Sequence, residues 1–151
     1  MARGSRPVHP VGMKMSTAAG LAAVALLGGC ATGRADLQHD PVASSFAALP
    51  DAVACGSATV DPGADGPVLS PTTLDCARAA LAAGRTVAVD TTYPTVEGDP
   101  ITTHYRVRPT GPVDVWVDSS QDAHSDRRWS HHAQACPGER GTPTAQLCAV
   151  R

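Results

Sequence analysis

Four cysteines, Cys55, Cys76, Cys136 and Cys148, bracket the C-terminal part of a chain whose aromatic supply is one Phe, two Trp and two Tyr. A domain of that size with so few large apolar side chains builds a limited core, and covalent cross-links are the usual compensation. An even number of cysteines fits a disulfide framework in an oxidising compartment. Short loops favour Cys55 with Cys76 and Cys136 with Cys148; the nested pairing, Cys55–Cys148 with Cys76–Cys136, stays open. A thiolate metal site is disfavoured, because no CxxC spacing occurs.

The start of the chain supports that compartment. Arg3, Arg6 and Lys14 precede a run of small and apolar residues, "STAAGLAAVALL" at 16–27, which ends in "GGC". A basic stretch, a short apolar stretch and small residues before a processing point form an export signal. At roughly 1.5 Å per residue the run reaches about 20 Å, short of a hydrocarbon core of about 30 Å. Residues 1–12 carry two prolines and add little to such a signal, so Met13 is the expected start.

Leu27, Gly28, Gly29 and Cys30 resemble the lipobox of bacterial lipoprotein precursors. The resemblance implies cleavage of residues 1–29, acylation of Cys30 with diacylglyceryl and palmitate-type chains, and a lipid anchor in the bilayer at the extracytoplasmic face of the cell membrane. Two or more acyl chains anchor stably where one binds only marginally. Without residues 1–29 the chain has nine arginines, no lysine and fourteen acidic residues, a formal balance of −5. That balance argues against nucleic acid and against an anionic lipid surface as electrostatic partners.

Residues 31–54 show no sustained period and are mostly small or polar, so residues 30–54 read as a lipidated cysteine and flexible tether ahead of a domain at 55–151. Phe46 and Leu49 are the side chains there able to dock. Within the domain one helix is well signalled: Ser70 can cap it, Pro71 suits its first position, Leu74, Ala77 and Leu81 share a face, and Gly84 can end it. The period then changes to two. Val87, Val89, Thr91 and Tyr93 fall on one face of a strand. Ile101, Thr103, Tyr105 and Val107 do the same, as do Val113, Val115 and Val117, and a weaker strand follows at 128–135. The expected fold is α+β: one helix packed on the valine face of a three- to four-stranded antiparallel meander, stapled by disulfides.

Two acidic stretches stand out. "PTVEGDP" at 94–100 joins two strands, and its prolines and Gly98 are what a hairpin loop demands for backbone reasons alone. "DSSQDAHSDRRWSHH" at 118–132 places further acids and histidines after the third strand. In a meander those two loops share one end, so Glu97, Asp99, Asp118 and Asp122 are candidate ligands of a calcium-stabilised binding module, although the EF-hand pattern is missing. Zinc at His124, His131 and His132 is weaker, since neighbours on a strand point to opposite faces. A small hydrolase using Glu97 and Asp99, or a serine with His104, is weaker still, because neither a nucleophile elbow nor H-E-x-x-H is present. On the sheet face opposite the valines, His104, Arg106 and Trp116 are the candidate surface for an envelope protein partner.

The order Cys55-Gly56, a cysteine early in a helix, "TVEGDPI" at 95–101, "DSSQD" at 118–122 and Cys136 resembles small, uncharacterised bacterial lipoproteins of a domain-of-unknown-function family. Members tend to follow the DSxxD block with an aromatic and a glycine, where this chain has Ala123 and His124. The resemblance implies no activity. The expectation is a membrane-anchored envelope lipoprotein that acts by binding, without catalysis and without an obligatory cofactor.

Overall fold

The computed structural model describes residues 40–61 and 66–151, all within the compact unit Gly33–Arg151. The expected signal at 1–29, Cys30 and the choice of start codon lie outside the described residues. Among the described residues, no helix is long and apolar enough to cross a membrane.

The elements run α1 (Pro41–Ala47), β1 (Val53–Thr59), α2 (Pro71–Ala82), β2 (Val87–Pro94), β3 (Pro100–Val107), β4 (Val113–Asp118), β5 (Trp129–Gln134) and α3 (Pro143–Cys148). They form an α+β domain around one five-stranded sheet in the order β1-β2-β3-β4-β5. Strands β2 to β5 are the antiparallel meander, whereas β1 lies parallel to β2. The sheet is therefore mixed, and its five strands exceed the expected three to four. A parallel neighbour needs a crossover, and α2 supplies it, so the helix is both cover and connection.

Helix α2 forms where its punctuation places it. The Ser70 hydroxyl accepts from the Thr73 N–H at 3.1 Å, Pro71 opens the first turn, and Gly84 follows the C-cap with φ of 74°. Its buried face is Thr73, Ala77, Ala80 and Leu81. Alanines at the contact let the helix axis lie close to the sheet. Beneath it, cross-strand pairs Val87↔Val107↔Val113 and Val89↔Tyr105↔Val115 line one face of β2, β3 and β4. The four valines Val87, Val89, Val107 and Val113 are fully buried. Burial pushes the Tyr105 phenol above its ordinary value of 10.0, so it stays protonated in the core.

Helix α3, absent from the sequence-based expectation, completes this core. Leu147 is fully buried, and Gln146 reaches back to residues 67–69, where its Oε1 accepts from the Leu69 N–H at 2.9 Å and its Nε2 donates to the Pro67 carbonyl at 3.1 Å. Cysteine pairs Cys55–Cys76 and Cys136–Cys148 sit at disulfide distance, with Cα separations of 5.4 and 5.6 Å. The first ties β1 to α2 and the second ties the segment after β5 to α3. Next to the first, Gly56 has φ of 123° at a bulge between Ala54 and Ser57. A Cβ there would stand 3.2 Å from Thr73 Oγ1, so the strand approaches the helix start closely because that residue is glycine.

The tether expected at 30–54 is corrected from residue 40 onward. Residues 41–47 are helix α1, packed against the sheet near β5, and β1 begins at Val53, two residues before the expected domain boundary. The Asp40 carboxylate caps α1, accepting from Val42 N–H at 2.7 Å and Ala43 N–H at 3.2 Å. A seven-residue helix is too short to hold itself in water, so its formation depends on what it packs against.

Candidate functional site

The sheet face opposite the valines carries both tryptophans together with histidines and charged side chains. Antiparallel register sets Asp90, His104, Trp116 and His131 side by side across β2, β3, β4 and β5. Arg106 and Asp114 form the next row, and Thr102, Asp118 and Trp129 the row on the other side. Period-two alternation dictates this composition once the valines turn inward.

Within the face the rings stack. Trp116 and His131 lie 3.9 Å apart between centroids, and His104 and Trp129 lie 5.4 Å apart and nearly parallel. His104 Nδ1 is 2.9 Å from the Asp90 carboxylate, which fixes the ring. Asp114 sits across from Arg106, yet its oxygens go to Arg108 at 2.8 Å and to His131 at 3.4 Å.

Helix α1 closes over this arrangement. Phe46, the only phenylalanine in the chain, stands 4.6 Å from His104, 5.1 Å from Trp129 and 5.5 Å from Trp116 between ring centroids. The Arg106 guanidinium lies 4.9 Å from the Phe46 centroid, within cation–π reach. At the other end of α1, the Trp129 N–H donates to Asp40 Oδ2 at 2.9 Å. That bond, more than the cap bonds within α1, holds the Asp40 carboxyl below its ordinary value of 3.8.

The three residues expected on a partner surface, His104, Arg106 and Trp116, therefore do share one face, but that face is covered by the chain's own α1. Trp116 is only 6 % exposed. Sequence reasoning missed Phe46, Trp129, His131, Asp90 and Asp114 as members of the same group. The alternation of Trp129 and His131 within the weaker strand was the signal available for two of them.

The two acidic loops lie at one end of the sheet, as their order in the meander implied. "PTVEGDP" is the β2–β3 hairpin turn: Thr95 N–H donates to the Asp99 carbonyl at 2.8 Å, and Gly98 has φ of 93°. Glu97 is exposed. Asp99 Oδ2 accepts from the Ala123 N–H at 2.9 Å, so this turn and the 119–125 loop do meet at one end of the sheet. Asp118 accepts from Ser120 N–H at 2.9 Å and Asp122 from His124 N–H at 2.8 Å. Three of the four carboxylates thus order backbone at the rim. Among the described residues no group of three or more His, Cys, Asp or Glu is arranged to hold a metal ion. The histidines are separated too: His131 stacks on Trp116, whereas His132, on the opposite face of β5, lies 3.1 Å from the Gln134 amide. An open cavity of about 300 Å³ lies elsewhere, where α2 meets the chain end, between Leu81 and Val150 and below Arg78 and Arg151.

No family model matches this chain, and comparison with curated proteins and with solved structures returned no match.

Proposed function

We propose that this chain is an exported lipoprotein, anchored at the extracytoplasmic face of the cell membrane through acylated Cys30, whose domain acts by binding an envelope protein partner rather than by catalysis. The observation that carries the binding reading is the face formed by His104, Arg106, Trp116, Trp129 and His131, where aromatic planes and charged groups converge on one side of a rigid sheet. Aromatic and arginine side chains concentrated in this way are the usual energetic centres of protein interfaces. The two disulfides agree with an oxidising compartment, and the basic start, apolar run and "LGGC" at 27–30 supply the anchor reading.

The anchor is tested with Cys30→Ala in the native host, followed by fractionation and radiolabelled palmitate. Loss of label, with release from the membrane fraction or accumulation of an uncleaved precursor, is expected; a variant still labelled and membrane-bound refutes it. The binding face is tested separately by photo-crosslinking in cells from position 102 against position 139. A specific adduct from the face position alone supports the reading, and identical adducts from both refute it.

A further inference from the structure

Two donors on the aromatic face remain unfilled while α1 lies over it. Arg106 Nε and Trp116 Nε1 are both buried and have no hydrogen-bond partner among the described residues. Arg106 also has no carboxylate within ion-pair distance there, because Asp114 is engaged by Arg108 and His131, and Asp90 by His104. A buried donor without an acceptor is costly and rare in a settled interface. Helix α1 thus covers the face without matching its chemistry.

Its grip is correspondingly light. None of the seven residues of α1 is fully buried. Among the described residues it is held chiefly by the Phe46 ring and by the Asp40 carboxylate at the Trp129 N–H, with Val42 and Ala43 half-buried. The connection to β1, residues 48–52, contains only a proline-bearing loop, so α1 can leave without disturbing the sheet. Elements with few buried apolar contacts open at low free-energy cost.

We infer that α1 is a built-in occupant of a peptide-binding seat, and that the seat's external ligand is an acidic peptide segment carrying an aromatic side chain. The occupant in place shows what the seat accepts: a carboxylate at the Trp129 N–H and an aromatic ring among His104, Trp116 and Trp129 beside Arg106. The unfilled donors show what a better occupant adds, namely further carboxylate oxygens for Arg106 and an acceptor for the Trp116 indole. Charge-assisted hydrogen bonds of this kind are stronger than neutral ones. The cis helix competes through its short connection at high effective concentration, so the seat is closed unless the ligand supplies those additional acceptors. This inference rests on the binding reading of the domain and is independent of the anchor.

The test uses the full-length protein in detergent, intact and as Phe46→Ala, with two synthetic peptides: one copying residues 40–49, and the same peptide carrying Ser44→Asp and Ser45→Asp. Calorimetry reports affinity, and tryptophan fluorescence reports the seat. The Phe46→Ala protein is expected to bind the acidic peptide at least about tenfold more tightly than intact protein does, because the cis competitor is weakened. Arg106→Met placed on the Phe46→Ala background is expected to erase the preference for the doubly substituted, more acidic peptide over the parent 40–49 peptide, which a merely structural arginine would not do. Asp40→Asn, which loosens α1 without touching its ring, serves as a second opened variant should Phe46→Ala not fold.

Absence of binding to both opened variants, with disulfides and circular dichroism intact, overturns the inference. Parent and more acidic peptides binding equally would place the α1 of a second copy on the seat instead, and overturns the acidic ligand. A face-specific crosslink in cells together with absent peptide binding refutes α1 as occupant of a peptide seat while leaving the binding reading intact.

Discussion

The Cys55–Cys76 disulfide offers the sharpest check on how this domain is stabilised. Its partners are 21 residues apart in sequence, and closing a loop of that length in the unfolded chain stabilises the folded state by about 3 kcal/mol. Cys55 is also part of the buried cluster, at 8 % exposed, so replacing it with alanine removes packing worth on the order of 1 kcal/mol more. The double variant Cys55→Ala, Cys76→Ala is therefore expected to lose about 4 kcal/mol, a large part of the 5–15 kcal/mol that folded domains typically hold. For a domain of this size that corresponds to a fall in melting temperature of roughly 15–25 °C. Urea unfolding followed by circular dichroism measures it, and the m value should rise, since the unfolded chain becomes more expanded. The Cys136–Cys148 pair spans only 12 residues, and the same chain-entropy relation makes its removal milder by about 0.5 kcal/mol. A loss below about 1 kcal/mol with an unchanged m value would refute the reasoning, because the cross-link would then be constraining nothing that the unfolded chain explores.

Other expectations follow from the packing and the rim. Leu147→Ala, which empties a fully buried site between α3 and the sheet, should cost about 2–5 kcal/mol by the same urea assay, against near-neutrality for exposed Val68→Ala. The Asp40 carboxyl titrates below 3.8 when α1 is docked, so its contribution is fully present above that value and is lost as pH falls through the lower, folded value. Tryptophan fluorescence should therefore report loosening of α1 at acid pH before the disulfide-linked core unfolds, and Asp40→Asn should remove that step. With Asp99, Asp118 and Asp122 each accepting a backbone N–H, calcium and chelator should leave the melting temperature unchanged. A calcium-specific rise that disappears in Asp99→Asn would instead make the rim a cation site, since only binding to the native state stabilises it.

What could be read from the chain differed sharply from element to element. Helix α2 was legible because cap, proline, apolar stripe and terminal glycine all agree over one segment. Strands β2, β3 and β4 were legible because β-branched and aromatic residues recur at every second position. Strand β1 was not: "VACGSAT" is built of small residues with a glycine bulge, so it carries no apolar alternation. Helices α1 and α3 span seven and six residues, too few for a helical period to register. The candidate face was half legible, in that His104, Arg106 and Trp116 were assigned to one side of the sheet from alternation alone. Its cover was not, because Phe46 lies in a segment whose composition is that of a spacer.

The sequence by itself determined which residues point into the core and which point away, because side-chain alternation is a property of the local backbone. It also restricted the cross-links, through loop length, to a short list headed by the pairing that the structure has. Only the tertiary structure decided that β1 runs parallel to β2, that Trp116 lies between His104 and His131, and that α1 folds down over them. Each of those depends on contacts between segments far apart in the chain, where register and direction are fixed by the closing of the whole core rather than by any local preference.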